Sequence, residues 1–227
     1  NTARITRTVR VADYGAMDSG FAGEGQGTWK SLPDSEGRDI ITDTNGNSYV
    51  VGIEPAAEPV LKVWKLTSEG LANYDSFENQ NGLTIDAPDA AGSINDSVLK
   101  IKLDASGKLL IAGTVINSSD EIRPHLWRLN ADGSVDNTFT FNGTRVDNQN
   151  TYLEAFDVDA DGNLYVAGSF EAGDYTDIFI AKYSPEGVID TRFGTNGFTR
   201  IAEGNDSVDF ISDLAITKSG DILLAGQ

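Results

Sequence analysis

A segment that reads as two strands joined by a glycine turn occurs four times along this chain. Its turn glycines, Gly46, Gly107, Gly162 and Gly220, are spaced 61, 55 and 58 residues apart. The four copies are "DIITDTNGNSYVVG" (39–52), "LKIKLDASGKLLIAG" (99–113), "AFDVDADGNLYVAG" (155–168) and "SDLAITKSGDILLAG" (212–226). Such a period indicates a repeat architecture, in which one small sheet cannot bury both of its faces alone and stacks on its neighbours.

A second repeated segment lies between these copies and completes the repeat. It reads "VWKLTSEG" (63–70), "LWRLNADG" (126–133) and "IAKYSPEG" (180–187). An Asp and a Phe-x-x-x-Gly pattern follow each copy, with one added residue after the first. In the third repeat the predicted strands are "AFDVD", "LYVAGSF", "IFIAKYS" and "VIDTRF". Four strands per repeat predict an all-β chain, a β-propeller of four four-stranded repeats of about 57 residues each.

The stretch "DVDADGN" (157–163) resembles a calcium loop, because alternating acids followed by a glycine open an EF-hand. The equivalent turns read "TNGN", "ASGK" and "KSGD", without the acidic pattern. An EF-hand loop that begins at Asp157 also needs a bidentate Glu where this chain has Gly168. The sequence therefore predicts a β-hairpin turn at this position.

The two ends of the chain carry complementary halves of a repeat. "TVRVADYG" (8–15) and "AMDSGFAGEG" (16–25) match strands three and four, and the last segment matches strands one and two. We predict a single domain, 1–227, circularly permuted so that the N-terminal outer half-blade completes the C-terminal inner half-blade. Its parts are outer strands in 1–29, blades in 38–82, 97–143 and 152–197, and inner strands in 211–227. The alternatives are an excerpt of a propeller of about six to eight blades and a polymer through unclosed half-blades.

Composition excludes several classes of function. The net charge of −18 and the pI of about 4.2 repel phosphates and anionic lipids, so we expect no nucleic-acid partner. No apolar run is long enough for a membrane span, so we expect no membrane insertion. The chain has no Cys and one His, which excludes disulfides, thiolate metal sites and multi-histidine sites. We expect no required cofactor.

A basic residue precedes each strand-three turn glycine by five positions, and an acid follows that glycine. The bases are Arg10, Lys65, Arg128 and Lys182; the acids are Asp18, Asp136 and Asp190, with Asp75 displaced by one insertion. Because strands three and four are neighbours, we predict structural ion pairs within blades rather than an anion site. Trp64 and Trp127 are predicted to pack between blades, and His125 to be an ordinary, partly exposed strand residue.

The connections between repeats are long, and they share one rim in an up-and-down blade. They span 30–39, 83–97, 144–154 and 199–210 and are rich in acids, among them Asp34, Asp39, Asp86, Asp89, Asp96, Asp147, Glu154, Glu203, Asp206 and Asp209. Long connections carry binding function more often than tight turns. Clustered oxygens suit Ca²⁺, and we name Asp96, Asp206 and Asp209 as its candidate ligands; a solvated acidic rim without a site is the alternative.

"DADGNLYVAG" together with "YSPEGVIDTRFGTNG" resembles the bacterial delta-60 repeat and, more loosely, NHL-type propeller repeats. The resemblance covers nearly the whole chain and is weakest over 1–38. It implies propeller blades of a secreted or cell-surface bacterial protein and carries over no catalytic residue. We therefore expect a non-enzymatic binding or scaffold module for a protein or glycan ligand. A self-assembling filament subunit and a carbohydrate-active enzyme with paired carboxylates in the funnel are the alternatives.

Overall fold

The expected all-β class is confirmed by the computed structural model, which describes residues 7–9, 28–30, 35–54, 59–71, 83–85, 93–143, 145–201 and 209–227. These ranges contain 15 β-strands and a short 3-10 turn at Val146–Asn148, and no α-helix. Within the same ranges, no helix is long and apolar enough to cross a membrane.

The strands form five antiparallel sheets, each in chain order. The N-terminal pair consists of β1 (Arg7–Val9) and β2 (Thr28–Lys30). Blade 1 consists of β3 (Glu36–Thr42), β4 (Ser48–Glu54), β5 (Val60–Leu66) and β6 (Leu83–Ile85). Blade 2 consists of β7 (Ser93–Leu103), β8 (Leu109–Ile116) and β9 (Ile122–Leu129). Blade 3 consists of β10 (Thr151–Val158), β11 (Leu164–Ala172), β12 (Tyr175–Tyr183) and β13 (Phe198–Ile201), and half-blade 4 of β14 (Ile211–Ile216) and β15 (Ile222–Gly226).

The sheets stack face to face through their first strands, with β3 beside β7, β7 beside β10 and β10 beside β14. Side chains of each strand alternate between the two faces, so neighbouring residues enter different cores. In β8, Leu109 and Ile111 pack against blade 1, and Leu110 packs against blade 3. Three apolar cores thus lie between successive sheets, which is how propeller blades bury their faces.

The "DADGN" stretch is a tight turn, as predicted. Val158 pairs with Leu164, and one carboxylate oxygen of Asp159 accepts hydrogen bonds from the amides of Asp161 (3.0 Å) and Asn163 (2.8 Å). Gly162 has a φ of +84°, in the left-handed region that favours glycine. The carboxylate of Asp159 therefore stabilises its own turn.

In three of the four repeats, steric crowding explains the glycine of the Ala-Gly or Val-Gly pair in strand two. Gly168 lies opposite a bulge in β10, and a Cβ atom there would lie 1.9 Å from the carbonyl oxygen of Tyr152. Gly52 and Gly226 lie opposite bulges in β3 and β14, with equivalent distances of 2.0 and 2.2 Å. A bulge turns the first strand sharply, and only glycine leaves room for it.

The predicted position of strand four was wrong. "VIDTRF" was expected to be extended, but Ile189 makes only an isolated bridge to Tyr183, and the strand is β13, after Gly197. Asp190 explains the difference, because its carboxylate accepts from the amide of Arg192 and its carbonyl from the amide of Phe193. An aspartate that bonds to its own backbone two residues on makes a turn rather than a strand.

Blade 2 has three strands among its described residues, where a fourth was expected. Pro124 occupies the position in β9 that Ile178 occupies in β12, where Ile178 pairs with Ile201 of β13. Proline has no N–H group to offer a further strand. After blade 2 the chain continues into the 3-10 turn, in which Asp147 and Asn148 have φ values of 50° and 61°.

The N-terminal pair and half-blade 4 are separate two-stranded sheets in this structure. Their strands correspond to strands three and four, and to strands one and two, of a blade. The expected fourth strand around Phe21 and Gly25 lies outside the described residues. The joint blade, and with it the circularly permuted ring, stays a prediction.

Candidate functional site

Of the three candidate calcium ligands, Asp209 alone lies among the side chains that the structure describes. Asp96 lies in β7, and Asp206 lies outside the described residues. Asp209 is buried; its amide donates to the carbonyl of Thr176 (3.3 Å), and its carbonyl accepts from the Thr176 hydroxyl (3.0 Å). Over the described ranges, no group of three or more His, Cys, Asp or Glu side chains is arranged to hold a metal. The calcium site stays a prediction.

Three of the acids on the first strands bind the backbone of the following sheet. Asp39 accepts from the amide of Ile101 (3.0 Å), Glu154 from that of Ile211 (2.6 Å), and Asp157 from that of Ile216 (2.7 Å). We call these three side chains the carboxylate clamps. Charge-assisted hydrogen bonds of this kind are stronger than neutral ones. The clamps therefore hold consecutive sheets together at their inner strands.

Asp157 contacts three consecutive sheets, because its other carboxylate oxygen accepts from Nζ of Lys102 in blade 2 at 2.8 Å. Burial opposes ionisation of this carboxyl, but the hydrogen bonds from Lys102 and from the amide of Ile216 outweigh it. They hold the pKa of Asp157 below its usual value. The sequence analysis assigned Asp157 to a hairpin turn rather than to a calcium loop, and its clamp role was missed because that role depends on a neighbouring blade.

The strand-three bases also reach the next blade. Lys65 donates to the carbonyl of Ala131 (3.4 Å), and Arg128 donates to the carbonyl of Pro185 (2.6 Å). Both acceptors lie two residues before a strand-three turn glycine. These contacts sit on the tight-turn rim, opposite the long connections. They are a second repeated bond between blades, which we call the turn contact.

The predicted ion pair within a blade is confirmed in blade 2. Asp136 lies 2.7 Å from both Nζ of Lys108 and Nε of Arg128, and hydrogen bonds from Lys108 and Thr138, with that of Arg128, hold its pKa well below its usual value. In blade 3 the pattern differs, because Asp190 pairs with Arg192 at 2.8 Å instead of Lys182. The ammonium of Lys182 lies over the ring of Tyr165, 5.2 Å from its centroid. Arg10, Asp18 and Asp75 lie outside the described residues.

Trp127 packs in the core between blades 1 and 2, as predicted, and Trp64 is buried in β5. His125 is a partly buried residue of β9 with its ring centroid 4.6 Å from that of Trp127 and 5.8 Å from that of Phe141. Burial, with the positive charge of Arg123, lowers the pKa of His125 to about 4. The imidazole is therefore neutral at physiological pH and serves packing.

Half-blade 4 and blade 1 each carry an exposed apolar side chain whose counterparts in the other sheets are buried. Leu223 of β15 is 56% exposed, while its counterparts on the other second strands are buried: Tyr49, Leu110 and Tyr165. Ile40 of β3 is 46% exposed, while its counterparts on the other first strands are buried: Ile101, Phe156 and Leu214. Half-blade 4 is therefore exposed at Leu223 on the side away from blade 3, and blade 1 is exposed at Ile40 on the side away from blade 2, where Val50 and Trp64 are nevertheless buried.

A family profile described as "Domain of unknown function (DUF5122) beta-propeller" matches residues 105–139 and 160–193. These segments contain strands two and three of blades 2 and 3 with their turns, and the match supports a β-propeller repeat family. Among curated proteins, no sequence matches the chain.

Several solved structures have a similar arrangement of sheets. The polysaccharide lyase Uly1 is 10% identical with a TM-score of 0.46, over 96% of this chain and 54% of the lyase. A glycosyl hydrolase from Bacteroides ovatus is 14% identical with a TM-score of 0.38, over 92% and 73%. The tail fiber of Staphylococcus aureus phage P68 is 13% identical with a TM-score of 0.29, over 98% and 50%. The chain thus spans about half the length of the lyase and of the tail fiber, and similarities this weak carry no conclusion about activity.

Proposed function

We propose that this chain is a non-enzymatic binding or scaffold module of a secreted or cell-surface bacterial protein, built as a β-propeller. The location follows from the resemblance to delta-60 repeats. The module presents its long connections on one rim as the surface for a protein or glycan ligand.

The carboxylate clamps are the observation that supports a scaffold most directly. A glycosidase needs two carboxyl groups that face the substrate, one to transfer a proton and one to act as nucleophile or base. Asp39, Glu154 and Asp157 instead accept hydrogen bonds from backbone amides of the next sheet. Such carboxylates are committed to holding blades in place, which is the task of a rigid module.

The finer architecture that we propose is a ring of four repeats. Half-blade 4 supplies strands one and two of the fourth blade, and the N-terminal pair supplies strands three and four. The exposed side chains of Leu223 in half-blade 4 and of Ile40 in blade 1 support this closure, because stacking of the two would cover both.

Calcium is proposed as a stabilising ion of the acidic rim, bound through Asp96, Asp206 and Asp209. Carboxylates crowded on one rim repel each other, and a divalent cation relieves that repulsion. The ion is not required for folding under this proposal.

The experiment measures binding and turnover with one panel of bacterial and host polysaccharides. We expect saturable binding of a ligand without new reducing ends or unsaturated products. The scaffold proposal would be overturned if the chain turned over a polysaccharide and Glu154→Gln abolished that turnover. In that case Glu171→Gln should retain it, with both variants folded. Glu171 is a matched control because it bonds to Asn150 and Tyr152 rather than to a backbone amide of the next sheet.

Light scattering on the purified chain tests the alternative of a filament subunit. We expect a monomer whose mass does not change with concentration. Open-ended growth in mass would replace the closed ring by assembly through half-blades.

A further inference from the structure

We propose that Asn142 is a site of spontaneous deamidation, at which the folded chain converts its own side-chain amide to aspartate or isoaspartate. An asparagine followed by glycine favours this reaction, because glycine has no side chain to hinder attack by its amide nitrogen. Three such pairs lie among the described residues: Asn45–Gly46, Asn142–Gly143 and Asn196–Gly197. All three asparagines are exposed, so the backbone around each pair decides which of them reacts.

The reaction consumes water and needs no cofactor. The amide nitrogen of Gly143 attacks Cγ of Asn142, so that a new C–N bond forms and the bond from Cγ to Nδ2 breaks. The amide proton leaves with Nδ2 as ammonia, and a cyclic imide remains. One water molecule then opens the imide at either of its carbonyl groups. One opening gives aspartate, and the other gives isoaspartate, in which the main chain runs through the former side chain; nothing is oxidised or reduced.

The amides of Gly46 and Gly197 are engaged in hydrogen bonds that oppose this attack. Gly46 donates to the carbonyl of Asp43 at 3.0 Å, and Gly197 donates to that of Phe193 at 2.9 Å. Each bond must break before its nitrogen can act as a nucleophile. Both glycines also have positive φ values, 85° and 100°, as tight turns require. The two turns therefore protect Asn45 and Asn196.

The amide of Gly143 is in a different state. Among the residues that the structure describes, it donates no hydrogen bond, and the φ of Gly143 lies outside the left-handed region. Gly143 is half-buried, and Asn142 before it is exposed. No backbone bond has to break before this nitrogen attacks Cγ of Asn142.

The chain just before Asn142 is fixed to blade 3. The amide of Thr140 donates to the carbonyl of Glu186 at 3.0 Å, and the ring centroid of Phe141 lies 4.6 Å from that of Tyr183. The attack moves only the side chain of Asn142 and the amide of Gly143. Deamidation therefore proceeds without unfolding of this anchored segment.

Isoaspartate has no room at this position. Gly143 packs so closely on β9 that a Cβ atom on it would lie 1.7 Å from the carbonyl oxygen of Pro124. Isoaspartate lengthens the main chain by a methylene group between Phe141 and Gly143, so the segment shifts away from β9. The ring centroid of Phe141 lies 5.8 Å from that of His125, and the shift therefore changes the surroundings of the imidazole.

Peptide mapping by mass spectrometry, during ageing of the purified chain in mildly alkaline buffer, measures deamidation at each of the three asparagines. The rate at each site in the folded chain is divided by its rate in urea, where all three have the same following residue and no turn. We expect this ratio to be at least tenfold higher at Asn142 than at Asn45 or Asn196. A smaller difference from either site would overturn the proposal, because the turn hydrogen bonds would then not decide reactivity.

The imidazole NMR signal of His125 tests the structural consequence. We expect this signal to shift in the isolated isoaspartate form. Asn142→Asp is the matched control, because it adds the same charge without lengthening the main chain, and its shift should be smaller. An isoaspartate form whose His125 signal matches that of Asn142→Asp would overturn the displacement from β9. Neither measurement uses a ligand, so this proposal and the scaffold proposal fail separately.

Discussion

β8 and β15 carry nearly the same sequence, "LLIAG" at 109–113 and "ILLAG" at 222–226, but their surroundings differ. All five residues of this stretch are buried in β8, which has a strand on each side and a sheet on each face. In β15 none of the five is buried. The repeat sequence therefore supplies a strand suited to burial, and the neighbouring sheets determine whether that strand is buried.

The largest expected effect comes from truncating the same residue type at equivalent positions. Leu110→Ala removes a fully buried side chain, and we expect a loss of about 2–5 kcal/mol in the free energy of unfolding. If the proposed ring closes and covers this side chain, Leu223→Ala should cost roughly 1–3 kcal/mol. Urea denaturation of both variants measures the two losses.

A cost for Leu223→Ala below about 0.5 kcal/mol, the range of ordinary surface substitutions, would contradict closure. The face seen open in this structure would then be open in solution as well. The Leu110→Ala value provides the internal standard in either case.

His125 tests the packing of blade 2, the buried member of this comparison. Its burial among aromatic rings lowers its pKa from 6.5 to about 4. The unfolded chain therefore binds a proton at a higher pH than the folded chain does. Stability is fully present above about pH 6.5 and falls as the pH drops towards 4, by roughly 2–3 kcal/mol from this group.

The imidazole NMR signal measures this pKa directly, since the chain has one His. The control is the His125→Phe variant. Its free energy of unfolding should lose the pH dependence that comes from His125 and keep the part that comes from carboxylates. A measured pKa near 6.5 would mean that water reaches this part of blade 2.

The same glycine-to-valine substitution can be compared in a turn of blade 3 and in the equivalent turn of half-blade 4. Gly162 and Gly220 have φ values of 84° and 88°, so valine is strained at either, at a cost of roughly 1–2 kcal/mol. A Cβ at Gly162 would also lie 3.3 Å from Cγ of Pro185, whereas one at Gly220 meets nothing within 4 Å. We expect Gly162→Val to lower the melting temperature more than Gly220→Val does; equal losses would show that strain alone acts.

The smallest expected effect is that of calcium on the acidic rim. A fivefold excess of free calcium over its Kd stabilises a single-site protein by about 1 kcal/mol. We expect the melting temperature to rise with calcium more than with sodium chloride at equal ionic strength, and to fall back with chelator. Asp206→Asn with Asp209→Asn should reduce the calcium-specific part, while Asp157→Asn with Asp159→Asn should leave it. Equal shifts of the melting temperature with both salts would show that the acidic rim is a solvated surface without a calcium site.

The repeat spacing predicted the hairpins and the all-β class because those features depend on neighbours in the sequence. Strand four was misplaced because the backbone bonds of Asp190 convert an alternating stretch into a turn. The lack of a fourth strand among the described residues of blade 2 had a visible signal in Pro124, which cannot donate to a further strand. The clamp role of Glu154 had no such signal, since its partner, the amide of Ile211, lies 57 positions further along the chain.

The position of Asp157 between three sheets has a consequence for local opening. Its two oxygens bind Lys102 on one side and the amide of Ile216 on the other. Half-blade 4 therefore cannot detach without changing the surroundings of a lysine two sheets away. Amide hydrogen exchange should reflect this, with β14 and the C-terminal half of β7 opening as one cooperative unit instead of fraying in sequence from the C-terminal end.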